Sequence, residues 1–280
     1  MRPGYPQRIV CLTEETTETL YLLGEEDRIV GISGFTVRPR RARREKPRVS
    51  AFTSAKIGRI LALEPDLVLG FSDLQAEIAA ELVRRGLDVR VFNQRSVAGI
   101  LAMIRSLGGM IGCAAGAEAL AGRLEGELAG IRRAAAALPR RPRVYFEEWD
   151  APMISGIRWV SELIGIAGGD DVFPELAAAP LGRDRIIADP LAVVRRAPDI
   201  IVGSWCGKKF RPERVAARPG WAGVPAVSAG EIHEVKSALI LQPGPAALTD
   251  GVRALHRIVV AWASRSAGAA PPGTSPPSAG

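Results

Sequence analysis

The sequence predicts an α/β protein of two Rossmann-like lobes, each a parallel sheet flanked by helices, joined by one long helix and separated by a cleft. Three observations predict it. Glu64 to Asp73 (EPDLVLGFSD) and Ala197 to Phe210 (APDIIVGSWCGKKF) share one order of parts: Pro-Asp, three apolar residues, Gly, then an aromatic and polar mouth. A short apolar run of this kind marks a strand covered on both faces, so each half carries one such strand and offers a loop to a shared cleft. Between the copies, residues 115–138 are rich in helix formers, with Leu120, Leu124, Leu128 and Ile131 at helical spacing. At the standard rise this is roughly 35 Å of rod, enough to bridge two lobes. On both sides of it, strand and helix patterns alternate, as parallel sheets require.

The opening strand is expected at 8–12. A helix at 13–23 follows, with Glu14 and Glu15 favourable against the dipole of its first turn, and Gly24 closing it. A second strand covers 28–32, and the arginine-rich stretch 38–48 reads as a solvated loop. Ser54 is the expected N-cap of a helix at 55–63, ahead of the strand at 67–69. A helix at 74–85, a strand at 89–92 with Asn93 and Gln94 at its exit, and a helix at 96–111 complete the first half. After the rod, Pro139 to Pro142 stop the helix. A strand at 144–146 exits into Glu147, Glu148, Trp149 and Asp150. Helices at 159–167 and 190–196 flank a loop at 171–185. The strand at 200–202 follows, 212–217 and 224–227 continue the alternation, and a helix at 246–264 closes the fold. The expected domains are an N-terminal lobe at 8–114, the linking helix at 115–138, a C-terminal lobe at 142–264, and a disordered tail at 265–280. That tail is Pro, Gly, Ser and Ala with nothing to bury.

Composition narrows the function. With 280 residues and 47% hydrophobic content the chain supports sizeable cores. Its net charge of +7 is concentrated in 38–48, which holds six Arg, one Lys and one Glu. No nucleic-acid-binding motif accompanies that segment, so nucleic acid is not an expected partner. Cys11, Cys113 and Cys206 are scattered and odd in number, which argues against a disulfide framework. The opening residues hold no apolar run long enough for a secretory signal. The expected location is therefore the cytoplasm for the sequence as written, or the periplasm if its start is truncated.

The order of parts resembles the family of iron-chelate and vitamin B12 substrate-binding proteins of ABC transporters, the class III periplasmic-binding-protein fold. The residues that carry the resemblance are RIVCLTEETTETLYLLG with VGISGFT behind it, ILALEPDLVLG, the rod helix, and APDIIVG with GWAGVPAV, over roughly residues 8–264. It implies a cleft that closes little on binding, a corrinoid or iron chelate as ligand, no intrinsic cofactor, and an ABC transporter permease as partner of a monomer. The surface glutamates with which such proteins dock fall here at Gly58 and near Leu191. Glu14 and Glu15 stand where the family shows Pro-Ser.

Strand exits collect the candidate ligand-binding residues. They are Phe71 and Ser72; Asn93; Glu148 and Trp149; and Ser204, Trp205 and Lys208. Phe35 and Arg38 on one loop, Phe52 and Ser54 on another, and Lys236 and Gln242 near the end add to the set. A broad planar chelate such as a corrin needs aromatic walls with amide and hydroxyl partners at its rim. Arg38, Lys208 and Lys209 would favour anionic groups on it. No catalytic constellation is expected. Glu147 and Glu148 point to opposite faces of a strand, and Cys206 has no histidine near it in sequence. His233 is the candidate to ligate a metal already held by a chelate. The leading expectation is a metal-chelate binding protein that is not an enzyme. The alternatives are a cytoplasmic enzyme acting on a small cofactor in the cleft, and an iron-siderophore-binding transporter component.

Overall fold

The computed structural model describes residues 4–268. Its first half builds one parallel sheet from β1 (Ile9–Cys11), β2 (Ile29–Ser33), β3 (Arg48–Ser50), β4 (Leu67–Phe71) and β5 (Val89–Phe92), in the order β3-β2-β1-β4-β5. The chain winds outward from β1 to β3, then returns to β4 on the other side. Its direction reverses between β1 and β4, and a crevice opens beyond the carboxyl ends of those two strands.

The second half repeats the plan. Strands β6 (Arg143–Asp150), β7 (Met153–Ser155), β8 (Asp170–Asp171), β9 (Ile200–Gly203) and β10 (Ile232–Glu234) run in the order β10-β9-β6-β7, with β8 also paired to β6. Only β7 is antiparallel among these pairings, hairpinned onto the end of β6. The reversal here falls between β6 and β9. The two crevices face each other.

The longer helices are α1 (Glu14–Leu22), α2 (Ala76–Arg84), α3 (Val97–Met110), α4 (Ala114–Ala136), α5 (Arg158–Ala167) and α6 (Val252–Gly268). Helix α4 buries Ala117, Leu120, Ala121, Leu124 and Leu128, one stripe at helical spacing. It meets α3 closely because Gly108 has no side chain: a Cβ there would lie 2.1 Å from the Ala117 Cβ. The stripe belongs to a core that continues from Ile9 and Leu69 in the first sheet to Phe146 and Val202 in the second. Each sheet has a smaller second core on its other face, around Val10 and Ile60 in one lobe and Tyr145 and Trp221 in the other.

Several elements depart from the sequence reading. The basic stretch 38–48 is not all loop: it holds a helical turn, Ala42–Glu45, and runs into β3. Lys56 rather than Ser54 precedes the helix Ile57–Leu61, and its N-cap has no side-chain hydrogen bond. β6 runs on through Glu147, Glu148, Trp149 and Asp150, because the polar groups there find partners inside the protein. The expected loop at 171–185 contains a turn of helix at Pro174–Ala177 and another at Gly182–Arg185. Residues 225–228 are helical, with Pro225 in the first turn, and the edge strand is β10 instead. A π-type turn, Ala247–Gly251, leads into α6, which continues to Gly268. The tail expected from 265 therefore begins as helix, and 269–280 lie outside the described residues.

Candidate functional site

The two crevices enclose one cavity of about 470 Å³ between the lobes, within the range of small-ligand and cofactor sites. Phe35, Phe52, Phe71 and Leu74 wall it from the first lobe; Pro180, Leu181, Cys206 and Gly207 face them from the second; Ile157, Trp159, Leu241 and Pro243 form the base. Phe35 is 54% exposed and Leu74 50%, large apolar groups left in water at the mouth of a cavity.

The walls are held from behind. Gln75 is fully buried; its Oε1 accepts the Phe71 N–H at 2.9 Å and its Nε2 donates to the Phe52 carbonyl at 2.8 Å. One amide thus fixes two aromatic positions. Ser72 turns the chain after β4 in a left-handed conformation (φ 63°), and its Oγ accepts the Leu74 N–H at 3.2 Å. That is backbone strain at the edge of a site. Trp159 donates from Nε1 to the Ile240 carbonyl at 2.8 Å, which anchors the base.

Four charged groups reach the cavity. Arg185 is 2% exposed and holds Glu148 through two bonds, 2.6 and 3.1 Å, while Nη1 also donates to the Ser155 carbonyl. Arg95 stacks 5.0 Å over the Phe71 ring, reaches Asp73 at 3.3 Å, and donates to the Pro180 carbonyl of the opposite lobe at 3.2 Å. The fourth is Glu14, first residue of α1, 8% exposed and with no hydrogen bond or ion pair to any described residue. Burial first, then Glu15 and Glu18, push its carboxyl up to about 8, with Arg43 opposing. Glu15 behind it is raised to about 7 by burial, although it accepts the Thr13 hydroxyl at 2.6 Å.

Of the residues expected from sequence, Phe35, Phe52, Phe71, Glu148 and Gln242 line this cavity. The others lie elsewhere. Arg38 pairs with Glu18 and Asp250, and with Lys236 it borders a separate groove. Lys236 itself pairs with Glu234. Ser54 borders a groove on the outer face of β3. Ser72 is buried in its turn, and Asn93 is an exposed acceptor for Arg95.

The largest correction concerns Trp205, which packs into the outer core of the second lobe, 3% exposed, edge-on to Phe210. Its Nε1 donates to Glu147 at 3.0 Å. Glu147 is fully buried and also accepts the Tyr145 hydroxyl at 2.9 Å and both terminal nitrogens of Arg218, at 2.5 and 2.9 Å. Ser204 is buried beside Trp205. Trp149 bonds the Ala151 carbonyl, and Lys208 lies between the Trp149 and Trp205 rings, tied to Asp150. Of the cations expected to attract anionic groups, Arg38 and Lys208 are thus committed to carboxylates outside the cavity, and Lys209 is exposed and does not line it. His233 lies on β10 against Glu231 at 2.9 Å, also outside it. Cys206 is exposed at the rim, and partial enclosure, then Glu14 and Glu148, push its thiol up rather than toward thiolate.

Sequence reasoning missed Glu14, Arg95, Trp159 and Arg185 as cavity residues. Glu14 carries the clearest signal: it begins a helix directly after β1, the strand at which the sheet order reverses.

Two lobes of parallel sheet, a buried connecting helix and an apolar cleft with a few polar groups define a two-lobed ligand-binding protein. The chain belongs to the periplasmic binding protein family, whose family model matches residues 9–239. Among its relatives is a cobalamin-binding protein of Halobacterium salinarum, 25% identical over 252 residues and covering 86% of this chain. This chain spans 66% of that relative's length, just under two thirds. The structure is similar to the periplasmic vitamin B12-binding protein of Vibrio cholerae (TM-score 0.73, 21% identity, 92% of this chain and 98% of that one). It is also similar to a periplasmic haem-binding protein of Roseiflexus sp. RS-1 (TM-score 0.76, 24% identity, 91% and 100%). At these identities the structural likeness is one of fold.

Proposed function

We propose that this chain binds a metal chelate of the corrinoid class between its lobes and passes it, chemically unchanged, to an ABC transporter permease. The observation that carries the reading is the cavity wall: Phe35, Phe52 and Phe71 with Leu74 present an apolar surface on one side, and Phe35 and Leu74 are substantially exposed. Such a wall gains free energy by covering a flat, largely apolar ring system. The halobacterial relative named as a cobalamin-binding protein supports the same ligand class. Against conversion of the ligand stands the engagement of the acidic and basic groups: Glu148 is locked to Arg185, Glu147 is buried in the core, and the Cys206 thiol is raised. Docking on a permease would proceed without carboxylates at Gly58 and Leu191.

Isothermal titration calorimetry with cyanocobalamin tests this. A single saturable site, lost to competition by a second corrinoid, is the expected outcome. Absence of binding by corrinoids, haem and iron siderophores alike would remove the reading.

A further inference from the structure

Among the described residues, Glu14 is the cavity carboxyl with neither hydrogen bond nor ion pair, whereas buried Arg185 holds Glu148 through its terminal nitrogens and leaves only its Nε unbonded. Glu14 stands at the reversal point of the first sheet, 8% exposed, lining the cavity, without a partner among the described residues. Each neighbouring charge has an engagement of its own. Arg185 is matched by Glu148, and Arg95 by Asp73 and the Phe71 ring. On its own helix, Glu18 is taken by Arg38 and the Ala246 N–H, and Glu15, which does not line the cavity, accepts Thr13 at Oε1 while its buried Oε2 is unbonded among the described residues. Arg43 acts on Glu14 only through its field, and Cys206 faces it from the other lobe. A buried carboxyl left unpaired costs stability, so its natural complement is a ligand group that donates hydrogen bonds.

We propose that Glu14 is the polar anchor of the site, accepting N–H bonds from the peripheral amides of a corrinoid and disfavouring the propionate edge of a haem. The inference rests on the chelate-binding reading above. The two ring systems offer similar flat surfaces to the aromatic wall but opposite edges. Corrinoid side chains end in carboxamides, whose N–H groups suit a carboxylate acceptor. Haem ends in propionates, which need a free cation and would meet Glu14 as like charge. A site that hydrogen-bonds one edge rejects the other by leaving polar groups unpaired.

A proton balance accompanies the bond. Amide donors favour the ionised carboxylate, whereas burial without such donors pushes the Glu14 carboxyl up to about 8 and keeps it largely protonated below that pH. Binding then releases a proton, and affinity rises with pH up to that value, by at most about tenfold per pH unit.

The test titrates the full chain with cyanocobalamin and, separately, with hemin, from about pH 6 to about pH 9. Wild type should bind cyanocobalamin more tightly as pH rises and level off above about pH 8. At pH 8 hemin should bind at least about tenfold more weakly. Glu14→Gln should flatten the cyanocobalamin profile and narrow the hemin gap, while Glu15→Gln keeps a rising profile. A flat wild-type profile, or hemin bound as tightly as cyanocobalamin, overturns the assignment of Glu14 while leaving chelate binding intact. These wild-type measurements stand even where a variant fails to fold. Binding of neither compound overturns both readings.

Discussion

Trp205 and Phe35 are both aromatic residues on loops beyond strands, and the structure buries the first and exposes the second. Trp205 shares the buried carboxylate of Glu147 with Tyr145 and Arg218. Trp205→Ala should therefore lower unfolding free energy by about 3–5 kcal/mol in a urea titration. Arg218→Met, which strands Glu147 without its counter-charge, should cost a similar amount. Phe35 is 54% exposed, so Phe35→Ala should leave the melting curve almost unmoved and weaken chelate binding by about tenfold or more. Glu14 and Glu15 supply a pH dependence of stability. Both bind their proton more tightly folded than unfolded, at about 8 and about 7 against an ordinary 4.5. Their contribution is present in full below about pH 4.5 and is lost as pH rises through about 7 to 8. The ligand-free wild type should lose more thermal stability between about pH 5 and about pH 8.5 than a Glu14→Gln, Glu15→Gln double variant does. Strand-exit and loop positions in the sequence point to Phe35, Phe52 and Phe71 as candidates, and these three line the inter-lobe cavity. The sequence could not separate them from Trp205, since the buried carboxylate that holds the Trp205 indole, Glu147, comes from a distant strand of the chain.

At the scale of elements, the contact of α3 with α4 depends on the missing side chain at Gly108. Gly108→Leu should push the helices apart and cost about 1–3 kcal/mol, measured by denaturant titration. Elements with a strong period were legible: α4 was expected at 115–138 and runs Ala114–Ala136. Elements whose polarity is satisfied internally were not. The end of β6 looks like an exit because it reads Glu-Glu-Trp-Asp, yet Arg218, Arg185 and Lys208 come to meet those carboxylates from distant segments. β10 was missed for a different reason: Ile232, His233 and Glu234 form an edge strand, with one apolar residue and no alternation to read.

For the molecule as a whole, the continuous core along α4 joins the lobes, and side chains cross between them around the cavity. Gln94 reaches the Pro243 carbonyl at 2.9 Å, Glu162 accepts the Val97 N–H at 2.7 Å, and Gly244 packs against Glu15, where a Cβ would come within 2.4 Å of its Cβ. Lobes tied in this way have little freedom to swing, so a saturating chelate should leave the radius of gyration in solution scattering nearly unchanged. The central claim is that the apolar inter-lobe cavity is the chelate site. The direct measurement is the dissociation constant of cyanocobalamin for wild type, Phe35→Ala and Trp205→Ala, each shown to be folded by circular dichroism. One site is expected, weakened about tenfold or more by Phe35→Ala and nearly unaffected by Trp205→Ala. Undiminished binding in Phe35→Ala together with loss in folded Trp205→Ala would contradict it and move the site to the outer face of the second lobe.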